Sequence, residues 1–125
     1  MATVYQEPVN ELSAQARDLH RALTSLIEEL EAVDWYNQRA DVTTDAPLKA
    51  ILLHNRNEEI EHAAMALEWI RRQVPEFDRD LRTYLFTTGE ITAIEDAATG
   101  GGDSGEAKPA ASAGDLGIGS LKKGR

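Results

Sequence analysis

Leu12, Ala16, Leu19, Leu23, Leu26, Leu30 and Val33 follow one another at steps of four and three, with polar and charged residues between them. Sustained in this way, the spacing predicts one long helix over about 8–38 with a bundle seam along one side. No Gly or Pro interrupts the chain between Val9 and Pro47. At 1.5 Å per residue such a helix is about 45 Å long. Residues 39–45 predict a turn, in which Thr44 or Asp45 caps the next helix. Pro47 falls in the first turn of that helix, where a missing N–H costs nothing. The second helix is predicted over about 46–73, and Pro75 stops it. Its inward stripe reads Leu48, Leu52, Asn55, Glu59, His62 or Ala63, Ala66, and Trp69 or Ile70. So short a connection makes the two helices antiparallel neighbours.

A third, shorter helix is predicted over about 76–86, with Phe77, Leu81, Tyr84 and Leu85 as its apolar face and Gly89 as its end. Residues 91–94 add a turn. The expected fold class is therefore all-α: an antiparallel two-helix hairpin plus a short C-terminal helix, filling residues 1–94. After about Glu95 the pattern is lost, and every glycine but Gly89 lies between Gly100 and Gly124. Residues 95–113 cannot bury enough surface to fold alone and read as a flexible linker. Its root-mean-square reach is roughly 24 Å. Residues 114–125 differ, because Leu116, Ile118 and Leu121 stand among the glycines of GDLGIGSLK as a short docking motif.

Composition narrows the chemistry. The 125 residues suit one domain, and only two Phe, two Trp and three Tyr leave a lone copy with a thin core. The net charge of −9 argues against nucleic acid and favours cations. The chain has no Cys, so disulfides, thiolate zinc sites, iron–sulfur clusters and a Cys nucleophile are excluded. No Ser-His-Asp triad suggests itself. The sequence contains neither a long apolar run nor a leader pattern, so a cytosolic protein with no membrane partner is expected.

Glu59 and His62 form a Glu-x-x-His on the second helix and share one face of it. Glu29 flanks the seam of the first helix, and Tyr36 lies two turns along the same side. Burying several ionisable groups together implies a compensating cation. One hairpin supplies three ligands, and its apolar seam is too wide for a single partner helix. An isologous two-fold dimer answers both problems. It gathers four Glu and two His around two metals, the arrangement of di-iron four-helix bundles. Carboxylate-rich ligation with His favours iron or manganese over zinc. Glu28, Glu31, Asp34 and Trp35 project away from the seam, where acids would concentrate cations and guide them inward.

Three segments carry a family resemblance: EELEAVDWYNQR (28–39), HNRNEEIEHAAMALEWIRR (54–72) and LRTYLFTTGEIT (81–92). In order and spacing they resemble the encapsulated ferritins, and GDLGIGSLK (114–122) resembles the peptide that loads such cargo into encapsulin shells. The resemblance implies a ferritin-like four-helix bundle formed by two chains, with pairs assembling into an annular decamer. It implies that Glu29, Glu59 and His62 hold two irons per dimer interface in a ferroxidase centre. It further implies that Glu28 and Glu31, with Trp35 beside them, form an external uptake site for Ca or another divalent cation, and that Tyr36 stands next to the centre. Leu116, Ile118 and Leu121 would dock to the encapsulin shell, whose lumen stores the mineral. Lys123, Gly124 and Arg125 extend past the motif.

Plainer readings compete. A Glu-x-x-His alone is usually a solvated face, as are Glu28 and Glu31. His20 and His54 fall off the stripes and read as surface histidines. Asn55 reads as a polar partner and Trp69 as packing. At the level of function, a ferroxidase competes with a redox-silent divalent-metal buffer and with an acidic helical adaptor for cargo docking. A rubrerythrin-style peroxidase fits less well, for want of Cys and of a complete four-helix chain.

Overall fold

The computed structural model describes residues 5–100. Residues 114–125, with Leu116, Ile118 and Leu121, lie outside them. Among the described residues the secondary structure is entirely helical: a 3-10 turn at Val9–Glu11, then α1 (Ala14–Val42), α2 (Ala46–Gln73), α3 (Pro75–Tyr84) and α4 (Ile91–Ala98). None of these helices is long and apolar enough to cross a membrane.

The chain divides into two units. The first runs to Ile70 and holds α1 and most of α2. Helix α1 starts later than the apolar spacing suggests, because Ser13 is extended and its hydroxyl accepts from the Ala16 N–H at 3.0 Å. Ahead of it, Tyr5 stacks on His20 with ring centroids 4.1 Å apart, so His20 is not the solvated histidine expected. Helix α1 also continues through 39–42, since nothing there breaks a helix. Thr43 ends it by donating its hydroxyl to the Arg39 carbonyl at 2.6 Å. The turn shrinks to three residues (43–45). Asp45 is the cap of α2, its carboxylate accepting from the Leu48 N–H at 3.1 Å. Two side-chain links fix the direction of α2 against α1. His62 reaches Glu29, and Arg56 donates to the Asn37 side chain at 2.9 Å. As the α2 position falls the α1 position rises, so the helices are antiparallel, as expected.

Among the described residues only Ala40, Ala63 and Ile70 form a buried apolar core. Leu30 of the seam and Leu48 of the inward stripe remain 53% and 47% exposed, and Ile51 and Met65 are more exposed still. A hairpin covers only one flank of each stripe, which is why Leu30 and Leu48, predicted to face inward, are open in a single chain.

The second unit starts at Arg71. Val74 is extended ahead of Pro75, which breaks α2 and lets the proline open α3. Asp78 in the first turn of α3 pairs with Arg71 and, at 2.9 Å, with Arg82. Helix α3 ends at Tyr84, short of Gly89, because Phe86 takes the left-handed conformation with φ 63°. Burial, followed by the charges of Glu95 and Asp80, raises the Tyr84 hydroxyl above the ordinary tyrosine value.

Residues 91–94, read as a turn, are instead the start of a full helix. The Glu90 carboxylate caps α4 by accepting from the Ala93 N–H at 2.8 Å and the Thr92 hydroxyl at 2.7 Å. That hydroxyl first, and then the Ala93 N–H, hold Glu90 below the ordinary carboxylate value. Helix α4 runs on to Ala98, past the expected boundary at residue 94, because Gly and Pro are absent until Gly100. Gly100 takes φ 106° just beyond the helix end, a conformation that suits glycine there.

Candidate metal centre

Glu29 comes from the middle of α1, and Glu59 and His62 come from successive turns of α2. The antiparallel register brings them together. His62 Nδ1 lies 3.3 Å from Glu59 Oε1 and 3.6 Å from Glu29 Oε1. One ligand atom from each residue falls within 4.8 Å of the others, and no other group of three His, Asp or Glu does so among the described residues. All three are half-buried, with 25–41% of their side chains exposed. Two carboxylates and an imidazole form a hard to borderline donor set that suits Fe(II) or Mn(II). A single chain offers too few ligands to complete six-coordination.

The other candidate residues are placed less tightly. Glu28, Asp34 and Trp35 are exposed on α1, in keeping with an outward face, whereas Glu31 is half-buried. Among the described residues Glu28 and Glu31 gather no third His, Asp or Glu. Tyr36 is half-buried, and the Arg39 guanidinium sits 5.4 Å from its ring centroid. Trp69 is 38% exposed, while its neighbour Ile70 is fully covered. The sequence reading missed Glu58, whose Oε1 lies 4.0 Å from His62 Nε2. Its position one turn before the histidine was the available signal.

The EncFtn-like family model matches residues 4–88. The chain belongs to the EncFtn-like family. An encapsulated ferritin-like protein of Rhodospirillum rubrum is 58% identical over 120 residues, covering 93% of this chain and 86% of that protein. A ferritin-like protein of Thermotoga maritima is 53% identical over 118 residues, covering 94% and 97%. The encapsulin nanocompartment cargo protein EncC of Myxococcus xanthus is 43% identical over 60 residues, 47% of this chain and 46% of that protein. A crystal structure of a Nitrosomonas europaea protein superposes with TM-score 0.68 at 63% identity, covering 70% of this chain and 96% of that one. The resemblance drawn from the three sequence segments therefore holds, and with it the all-α, ferritin-like fold.

In this EncFtn-like chain the three side chains of the trio differ in how tightly they hold a proton. Glu29 is raised above the ordinary carboxylate value, first by its hydrogen bond with Glu59, then by burial and by the Glu59 charge. Glu59 is lowered, chiefly because Glu29 donates to it, with His62 adding to the effect. Burial pulls His62 down. The Glu59 hydrogen bond and the charges of Glu29, Glu59 and Glu58 outweigh it, so the imidazole sits above the ordinary histidine value. Without metal, Glu29 and His62 thus hold protons more tightly than free side chains would, and a cation must compete with those protons.

Raised values at His62 and Glu29 mean both keep their protons to higher pH, so acid opposes metal. Affinity for Co(II) rises with pH, by about tenfold per pH unit for each proton displaced, and levels off above the His62 transition. Calorimetry in buffers of different ionisation heat checks this by counting the protons released. Flat affinity between pH 6 and 8 would exclude His62 from the site.

Proposed function

We propose that this chain is a ferroxidase. It oxidises Fe(II) to Fe(III) with O2 at a two-iron centre closed between two copies, inside an encapsulin shell that stores the product. The observation that carries the reading is the convergence of Glu29, Glu59 and His62 within 4.8 Å, each chain supplying three of the six groups a paired site needs. The open apolar stripes of α1 and α2 support a second copy as the cover.

Fe(II) is the substrate, and two held together give up one electron each to one O2. Glu29 and Glu59 bring negative charge that offsets the added charge of Fe(III). His62 contributes Nδ1, and iron competes with protons for Glu29 and His62. Glu28 and Glu31, with Trp35 beside them, form the external site where Ca or another divalent cation is taken up. Tyr36 stands beside the centre. Paired chains build an annular decamer, and Leu116, Ile118 and Leu121 dock it to the shell protein. The relatives named for encapsulation and for encapsulin cargo support that partner.

Aerobic Fe(II) oxidation, followed at the ferric absorbance together with metal stoichiometry, tests the reading. Saturation near one iron per chain with repeated turnover is expected. Tight binding without turnover would replace the ferroxidase with a metal buffer. Deleting residues 114–125 is expected to abolish shell loading and leave the iron chemistry intact.

A further inference from the structure

His62 presents its two ring nitrogens to different neighbours. Nδ1 faces Glu59 and Glu29, at 3.3 Å and 3.6 Å. Nε2 points to Glu58, whose Oε1 is 4.0 Å away. The other oxygen of that carboxylate, Oε2, lies 4.0 Å from Nε2 of His54. Residues 54, 58 and 62 form a row of successive turns along α2, with Glu58 between two imidazoles.

A metal held by the trio takes Nδ1, which leaves the proton on Nε2. When the free N–H of a ligating imidazole is donated to a carboxylate, the tautomer and ring orientation are set and the ligand is more basic. We propose that Glu58 is the positioning residue of the metal centre, accepting the His62 Nε2–H and so holding Nδ1 toward Glu29 and Glu59. This rests on the trio being a metal site. Glu58 stands behind the imidazole relative to the trio, so it acts through His62 and not as a ligand. A side-chain adjustment of about 1 Å brings the pair to hydrogen-bond length. The Glu58 side chain is 51% exposed, so solvent screens its charge and the effect lies in the bond it accepts. That exposure also means its replacement leaves the fold in place.

The test is an anaerobic Co(II) titration of the full chain and of Glu58→Ala, Glu58→Gln, His62→Ala and the Glu58→Ala/His62→Ala double variant. Circular dichroism serves as the folding control. Glu58→Ala is expected to weaken Co(II) binding by about 10–100-fold. Glu58→Gln keeps an acceptor oxygen and is expected to recover most of that loss. With His62 already removed, Glu58→Ala is expected to change nothing more, because its effect passes through the ring. The Co(II) form also carries a spectroscopic signature: the exchangeable N–H of the ligating imidazole exchanges slowly in the native chain and rapidly in Glu58→Ala. Native affinity in Glu58→Ala, while His62→Ala loses the metal, overturns the positioning role alone. A Glu58→Ala loss that persists in the double variant overturns it as well, since the carboxylate would then act as a charge or a ligand. Native affinity in His62→Ala overturns the metal centre itself and the proposal with it.

Discussion

Fe(II) oxidation is expected to fall by at least about 100-fold in Glu59→Ala, while the helices stay folded. Loss of a residue that merely supports a ligand costs up to about 100-fold, and Glu59 is assigned as a ligand. In a paired site the substitution removes two of the six groups. The fold tolerates the change for a separate reason. Glu59 and Glu29 are two carboxylates crowded together without metal, and Glu59 raises Glu29 above the ordinary carboxylate value. Removing one relieves that crowding, and alanine is the better helix former. The melting temperature of the metal-free variant is therefore equal to or above that of the native chain. Glu29, having lost the partner that raises it, moves back toward the ordinary carboxylate value. Stopped-flow absorbance with Fe(II) and O2, alongside thermal melts, measures both halves. Native rates in Glu59→Ala would sink the ferroxidase reading. A collapsed melt would make Glu59 a structural residue instead.

Iron is also expected to drive assembly. The 29 residues of α1 and the 28 of α2 leave Leu30, Ile51 and Met65 more than half exposed in one chain. So little burial makes a lone copy marginal. A metal that needs ligands from two chains binds the pair and not the single copy. At about 100 times its dissociation constant it favours the pair by about 2.7 kcal/mol, roughly a hundredfold in association. Anaerobic sedimentation velocity with and without Fe(II) is expected to shift to larger species, and His62→Ala is expected to remove the shift. An unchanged profile in the native chain would mean that pairing is metal-independent and rests on the apolar stripes alone.

Much of this is legible in the sequence. The steps of four and three from Leu12 to Val33 specify a helix because apolar side chains must share one face, and periodicity is a local property. Asp45 and Pro75 mark the ends of α2 for equally local reasons, one offering a cap and the other lacking an N–H. The Glu-x-x-His of α2 is local too, since a spacing of three places both side chains on one face. Where local rules were incomplete, boundaries moved. Ser13 delayed α1, the breaker-free residues 39–42 extended it, and Glu90 turned a single turn into α4.

Local sequence is enough to specify α1 to α3, their stripes and Glu29, Glu59 and His62 as metal-type residues. The folded hairpin alone settled that Glu29 meets His62, because axial register depends on a three-residue turn and on packing between helices. It also decided that Nδ1 faces the two carboxylates while Nε2 faces Glu58. No periodicity encodes that distinction, since the orientation of an imidazole is set by the charges and hydrogen-bond acceptors around it.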